Sequence, residues 1–339
     1  MDRGALAERL GRRGFEIEIV GPPARPSLVA TRRGRGGGAS LALNGHLDTV
    51  GVAGMAEPFA ARIEGDRLYG HGACDMKAGV AAMVVAAERA AGTGHDGDVV
   101  LALVADEEHG NLGTTAVLEH LAGRLPDACI IGEPTWLDLI VAHRGFSAYE
   151  VELRGRAAHS SQPENGVNAV TMLGRLLGAV EAHDAELTAR EPHPYTGHGS
   201  MLATVVSGGS APFTLAASAS AIVERRTIPG EPADARAREI EAMLAALELD
   251  GACREVVARG PWQLSDTPAA ERLVKLLPFD GRVGAPYWME SEMWEAAGVP
   301  TVICGPAGGG LHADVEWVEL DQLRAYADAL AALIPAFGR

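Results

Sequence analysis

Cysteine is scarce in this sequence and poorly spaced for shared chemistry. Cys74, Cys129, Cys253 and Cys304 are the only four, and without a CxxC pair neither a disulfide framework nor a thiolate-held zinc site is expected. Isolated thiols suit a reducing compartment, so the cytoplasm is the expected location. Basic residues are also in deficit. Lys plus Arg number 29 against 45 Asp plus Glu, a formal charge of −16, and so acidic a surface repels the phosphate backbone that nucleic-acid binders exploit. No run of about 18 apolar residues is present for a membrane span. The opening MDRGALAERLGRRGFEIEIV is basic but lacks the apolar core of a secretion signal. Neither nucleic acid nor membrane is therefore expected as a partner, and the chain reads as soluble and not exported. The absence of a GxGxxG between strand and helix excludes a nicotinamide-dependent oxidoreductase.

What is present is a chain of ordinary globular make-up. Its 339 residues are 47% hydrophobic and 22% charged, with 42 Gly and 19 Pro, which suggests about two domains and many tight turns. Short apolar runs, LALNG at 41–45, VVLALVA at 99–105, ACIIG at 128–132 and TVICG at 301–305, read as buried parallel strands alternating with helices. That alternation predicts an α/β layered domain. The Ala and Val of KAGVAAMVVAAERAA, at 77–91, cover nearly the whole circumference of a helix, which predicts burial against the sheet. TTAVLEHLAG at 114–123 predicts a second helix, and DQLRAYADALAALI at 321–334 an amphipathic one that closes the chain.

From about Ser147 the texture changes. FSAYEVELRG alternates like a half-exposed antiparallel strand, helical periodicity follows at 167–187, then the strand-like SMLATVVSG and ASASAIVERR, then a helix at 233–249. This α+β set between two α/β pieces predicts an inserted domain at 147–257, interrupting a catalytic domain made of 1–146 and 258–339.

Five segments carry residues fit for chemistry. In NGHLDTV, at 44–50, His46 and Asp48 are two apart at the end of an apolar strand and share a face. Imidazole is the commonest zinc ligand and binds best when a carboxylate holds its other nitrogen; the other reading is a strand-end His bonded to a turn. YGHGACDMKAG, at 69–79, puts Asp75 in a Gly-rich turn before the buried helix, where catalytic groups of open α/β sheets gather. Asp75 could also cap that helix. In VADEEHG, at 104–110, three consecutive carboxylates follow a buried strand and repel one another unless a cation or proton intervenes. Glu107 and Glu108 suit a division between general base and metal ligand, with a solvated acidic turn as the alternative. Glu133 follows another apolar strand in IIGEPT, and His312 follows three glycines in GGGLHADVEW, where the backbone can fold a side chain over a site. Together these segments bring two imidazoles and several carboxylates to one sheet edge. Burying unpaired carboxylates there costs more than a fold can offset without metal, so a two-cation site is expected. His95, His109, His120 and His143 read as surface or hydrogen-bonded residues.

GHLDTV, GACDMKAG, ADEE, IIGEPT, GRAAHSSQPENGVNAV and LHADVEWVEL occur in this order over nearly the whole chain. In them the sequence resembles the co-catalytic zinc metallopeptidase and aminoacylase family, which includes acetylornithine deacetylase, succinyl-diaminopimelate desuccinylase, aminoacylase and glutamate carboxypeptidase G. The resemblance implies a zinc-peptidase-like catalytic domain with a mixed, largely parallel sheet. It makes the inserted segment a ferredoxin-like lid and dimerisation domain, and the protein a homodimer. His46, Asp75 and Glu133 would hold one metal, and Asp75, Glu108 and His312 the other, with Asp75 bridging next to a cis Asp75–Met76 peptide. Asp48 would orient His46. Glu107 would be general base and acid, and His159 would reach the neighbouring subunit's site to meet the substrate and its oxyanion. Arg226, or else Arg225, would hold a substrate carboxylate. The implied cofactors are two divalent ions, zinc first, with cobalt or manganese as alternatives. The implied reaction is hydrolysis of the amide of an N-acyl amino acid, deacetylase- or desuccinylase-like, or of a small dipeptide, by a metal-bound water that Glu107 deprotonates.

The sequence also departs from the family pattern. Many relatives carry Asn and Val-Val-Pro after the equivalent of GGSAP, at 208–212, where this chain has Phe213, Thr214, Leu215 and Ala216. His71 stands where Arg is common, and the amino terminus reads as lacking the leading helix of longer relatives. The Phe213 departure motivates an alternative, a non-catalytic relative acting as a ligand-binding or interaction protein.

Overall fold

The structure, a computed structural model, describes residues 2–52, 54–232 and 235–339. The chain forms two compact units. One comprises Met1–Val141, Leu264–Val283 and Glu290–Arg339; the other comprises Ala142–Gln263 and Gly284–Met289.

In the first unit the four apolar runs become neighbouring parallel strands, in the order Val99–Val104, Leu41–His46, Ala128–Ile131 and Thr301–Ile303. Every residue in them is buried, as a sheet covered on both faces requires. Their register sets His46 opposite Val104 and Asn44 opposite Ile131, so their carboxyl ends open at one edge. The flanks run antiparallel. Ser27–Arg32 pairs with Val99–Val104 and with Glu16–Val20, and Ile303 pairs with Ile140. The sheet is thus mixed, and its parallel part is confined to the centre. The proline-rich turn at 21–26 closes a hairpin, which only antiparallel strands can use.

The helix Ala78–Thr93 buries Val80, Met83, Val84 and five alanines, and it packs beside the closing helix Leu320–Phe337. Its small residues let it approach the sheet closely. A Cβ on Gly79 would lie 2.0 Å from the Gly132 carbonyl oxygen, so glycine is needed where the helix start meets the turn before Glu133. The second helix runs Leu112–His120, starting two residues and ending three residues earlier than the periodicity predicts. A ten-residue helix, Arg3–Arg12, corrects the reading of the amino terminus as lacking one. Asp2 caps it by accepting from the Gly4 and Ala5 amides at 2.7 and 3.2 Å. Leu10 is its only buried residue, which is why its periodicity is faint. A small antiparallel sheet of Gly308–Gly309, Trp317–Glu319, Arg67–Tyr69 and Arg62–Glu64 has strands too short to show in the sequence. No helix among the described residues is long and apolar enough to cross a membrane.

The second unit has an antiparallel sheet in the order Ser200–Gly208, Ser218–Thr227, Gly145–Arg154, Gly251–Arg259. With the helices Ala169–Ala189 and Ala235–Ala246 between strands, this is the ferredoxin-like arrangement. Tyr149, Val151 and Leu153 point to one face, where they share a core with Leu173, Leu176, Val180 and Ile240 of the helices. The start of the second helix, expected at 233 and 234, lies outside the described residues.

His143 in this unit is fully buried, with its ring centroid 5.2 Å from that of Trp262 and 6.2 Å from that of Trp288. Its Nδ1 lies 2.9 Å from the Arg144 carbonyl oxygen. Burial pushes the imidazole pKa down to about 4. An unfolded chain, with a His pKa near 6.5, binds one more proton than the folded chain between those values. Its contribution to stability is therefore complete above about pH 6.5 and is lost as pH falls towards 4. Denaturant unfolding at pH 7 and pH 5 should show about 2 kcal/mol of this loss in the wild type, and a smaller loss in His143→Gln. Equal losses in the two proteins would contradict the assignment.

Candidate metal centre

The centre lies within the first unit at the carboxyl edge of the parallel strands. His46 ends its strand with an imidazole that is 1% exposed. Its Nε2 is 3.0 Å from Asp75 Oδ1 and 3.6 Å from Glu133 Oε1. Its Nδ1 lies 3.1 Å from the Asp48 carbonyl oxygen but 3.8 Å from the Asp48 carboxylate, so the main chain of Asp48 is the nearer group to the ring. The Asp48 carboxylate instead accepts from the Glu108 amide at 3.3 Å.

Asp75 sits in the tight turn Ala73–Lys77, and the Asp75–Met76 peptide is cis, as the resemblance implies. Asp75 Oδ2 is 3.4 Å from His312 Nε2, which is 3.2 Å from the Glu108 carboxylate. Asp75 therefore offers one oxygen to each imidazole. Ligand atoms of His46, Asp75 and Glu108 all lie within 4.8 Å of one another. The three acids after Val104 have separate fates. Asp106, at φ 70°, is buried, pairs with Arg25 and accepts from the Leu112 amide, whereas Glu107 and Glu108 are half-buried.

Charge crowding dominates the electrostatics. Burial, then the charges of Glu290, Glu108 and Asp75, push the Glu107 carboxyl up to about 8, against the pull of His46. Burial raises Glu133 well above the usual carboxylate range, and burial with the Asp75 charge raises Glu108. Burial opposes ionisation of Asp75, but hydrogen bonding to His46 wins and lowers its pKa. Burial likewise disfavours charged His46, yet Glu133 and Asp75 hold its pKa well above the ordinary value. A set of half-buried carboxylates with one buried imidazole, His46, and one exposed imidazole, His312, fits divalent cations, and its mixture of nitrogen and oxygen donors suits zinc.

Two buried acids at the site were missed from the sequence. Glu290 accepts from Asn44 Nδ2 at 2.9 Å and from the Thr114 hydroxyl. The signal was Asn44 itself, since an amide inside the buried strand LALNG demands a polar partner. Glu316 accepts from backbone amides of the Asp75 turn. It lies inside the family-like motif LHADVEWVEL, with nothing local to reveal its role.

The structure brings His46, Asp75, Glu108, Glu133 and His312 together with Glu107. His159 and Arg226 belong to the second unit and have partners of their own there. His159 is exposed, with Nδ1 2.7 Å from Ser161 Oγ, in a loop hydrogen-bonded to the Phe213–Leu215 segment. Phe213 takes φ 64° and is 75% exposed. Arg225 is fully buried against Glu231 and Glu239 at 2.8 Å each, which leaves no free face for substrate. Its neighbour Arg226 is only partly buried, 2.6 Å from Glu224 and over the Phe146 ring.

A mixed α/β sheet with paired imidazoles and carboxylates at its strand ends is a metallopeptidase arrangement. Residues 42–336 match Peptidase family M20/M25/M40, and the chain belongs to that family. It is 34% identical over 232 residues to an acetylornithine deacetylase of Myxococcus xanthus, an alignment covering 66% of this chain and 59% of the relative. It is 37% identical over 185 residues to a succinyl-diaminopimelate desuccinylase of Dinoroseobacter shibae, covering 51% and 49%. The chain thus spans about half the length of these curated relatives. A dinuclear metal-binding peptidase of the M20 family from Bacillus subtilis shares the fold at TM-score 0.74 and 16% identity, over 99% of this chain and 91% of that one.

Proposed function

We propose that this chain is a dinuclear metal-dependent amidohydrolase that cleaves an N-acyl amino acid, acetyl- or succinyl-substituted, with a small dipeptide as the other substrate class. The carrying observation is Asp75, which directs one carboxylate oxygen to His46 and the other to His312. His46, Asp75 and Glu133 would hold one cation, and Asp75, Glu108 and His312 the other, with zinc the ion best suited to these donors. Two divalent cations there would supply an acidified water and a polarised amide carbonyl. Glu107, next to the ligand Glu108, takes the proton from the attacking water and returns it to the leaving amine. Asp48 steadies both sides by holding the Glu108 amide and placing its carbonyl against His46.

The ferredoxin-like unit serves in this reading as lid and dimerisation domain. Its edge strand Ser200–Gly208 exposes Leu202, Val205 and Val206, which supports a second copy of the chain as partner. In the dimer His159 would reach the neighbouring subunit's site to meet the oxyanion, and Arg226 would hold the substrate carboxylate. The free thiols and the lack of a membrane-spanning helix among the described residues support a cytoplasmic setting. Metal-free protein reloaded with zinc, cobalt or manganese should release free amine from at least one N-acetyl or N-succinyl amino acid or dipeptide. Failure on the whole panel with every metal would overturn the assignment.

A further inference from the structure

Glu316 is a buried carboxylate for which the reaction has no use. It is 4% exposed, and both its oxygens are engaged by backbone amides. Oε2 accepts from the Gly72 amide at 2.6 Å, and Oε1 accepts from the Cys74 and Asp75 amides at 2.8 and 2.9 Å. Gly72, at φ 71°, turns the chain so that these N–H groups converge, as in the backbone concavities that bind anions. Neither His71 nor Lys77 takes this charge as a hydrogen-bonded partner. The His71 ring nitrogen is 3.8 Å away, and Lys77 Nζ donates instead to the His71 carbonyl at 3.0 Å.

Glu316 also belongs to the segment that carries His312. It precedes the strand Trp317–Glu319, which pairs with Arg67–Tyr69 on one side and Gly308–Gly309 on the other. Its own carbonyl accepts from the Gly70 amide at 3.1 Å. One residue therefore ties the loop bearing His312 to the turn bearing Asp75. Metal chemistry tolerates errors of only about 0.5 Å in ligand placement, and a short turn does not meet that tolerance without support.

We propose that Glu316 is a positioning residue, whose carboxylate clamps three amides of the Gly72–Asp75 turn and so holds Asp75 between His46 and His312 before any cation arrives. The inference rests on the two-cation reading of the centre. It assigns Glu316 no contact with metal or substrate. Its effect passes through the backbone of Asp75.

Glu316→Gln keeps the shape but replaces one acceptor oxygen with a donor facing donors. Chelator competition should show zinc bound about 10- to 100-fold more weakly than in the wild type, the loss typical when a ligand's supporting partner is removed. The absorption spectrum of the cobalt-loaded variant should change, a signature that loss of fold stability alone does not move. Glu316→Asp should recover part of the affinity. Wild-type zinc affinity and an unchanged cobalt spectrum in Glu316→Gln would overturn the proposal. If the wild type itself binds fewer than two ions, the two-cation reading fails first and the inference falls with it. Should the variants not fold, amide hydrogen exchange of the metal-free wild type decides. Slow exchange at Gly72, Cys74 and Asp75 supports the clamp, and exchange as fast as in exposed loops contradicts it.

Discussion

Replacing Glu107 with glutamine is expected to lower kcat by about 100- to 10,000-fold, the usual worth of a general acid–base group, with KM little changed. Two features set this apart from an ordinary site lesion. Glu107 is next to Glu108 in sequence but is not one of the five ligands of the proposed centre, so metal content should stay at the wild-type level. Its carboxyl is also pushed up to about 8 by burial and by Glu290, Glu108 and Asp75, so glutamine puts a permanently neutral group where ionisation is already disfavoured. The variant should therefore melt at or above the wild-type temperature while being nearly inactive. A Glu107→Gln protein that turned over substrate at the wild-type rate would remove Glu107 from the reaction. Metal analysis of the same sample separates loss of the base from loss of the ions.

The second large effect belongs to Asp75. Asp75→Asn deletes the charge that both imidazole sites share and turns an amide N–H towards one of them. Binding of both cations should weaken by at least about 100-fold, and activity should disappear with them. His312→Ala should weaken only one ion, because His312 Nε2 approaches Asp75 Oδ2 and Glu108 while His46 and Glu133 form the other side. The contrast is visible in thermal melts. Saturating zinc raises the melting temperature of any protein that binds it only when folded. That rise should be present in the wild type, smaller in His312→Ala and absent in Asp75→Asn. Equal rises in all three would show that Asp75 does not bridge.

Much of this proposed centre was legible in the sequence because three of its five proposed ligands lie at or just beyond the end of a strand that announces itself. His46 ends a buried strand, Glu108 and Glu133 come shortly after two others, and parallel neighbours put the carboxyl ends of all three at one edge. Residues whose roles depend on distant approach were not legible. Asn44 and Glu290 are 246 positions apart, and only the oddity of an amide in a buried strand pointed to a missing partner. Arg225 and Arg226 are adjacent on one strand and so face opposite sides of the sheet. Which one is buried depends on where the helices Ala169–Ala189 and Ala235–Ala246 pack. Asp106 looked like one of three equivalent acids. Its positive φ and its partner Arg25, far away in sequence, separate it from Glu107 and Glu108. The small sheet that joins the two ligand loops is built from strands of two or three residues, below the length at which alternation can be seen.

The most direct measurement is the metal stoichiometry of the purified chain after stripping and equilibration with zinc, read by elemental analysis against protein concentration. About two ions per chain are expected in the wild type and in Glu107→Gln, and far fewer in Asp75→Asn at the same free zinc. A wild-type chain that retains no zinc, or an Asp75→Asn chain that retains as much as the wild type, would contradict a dinuclear centre bridged by Asp75.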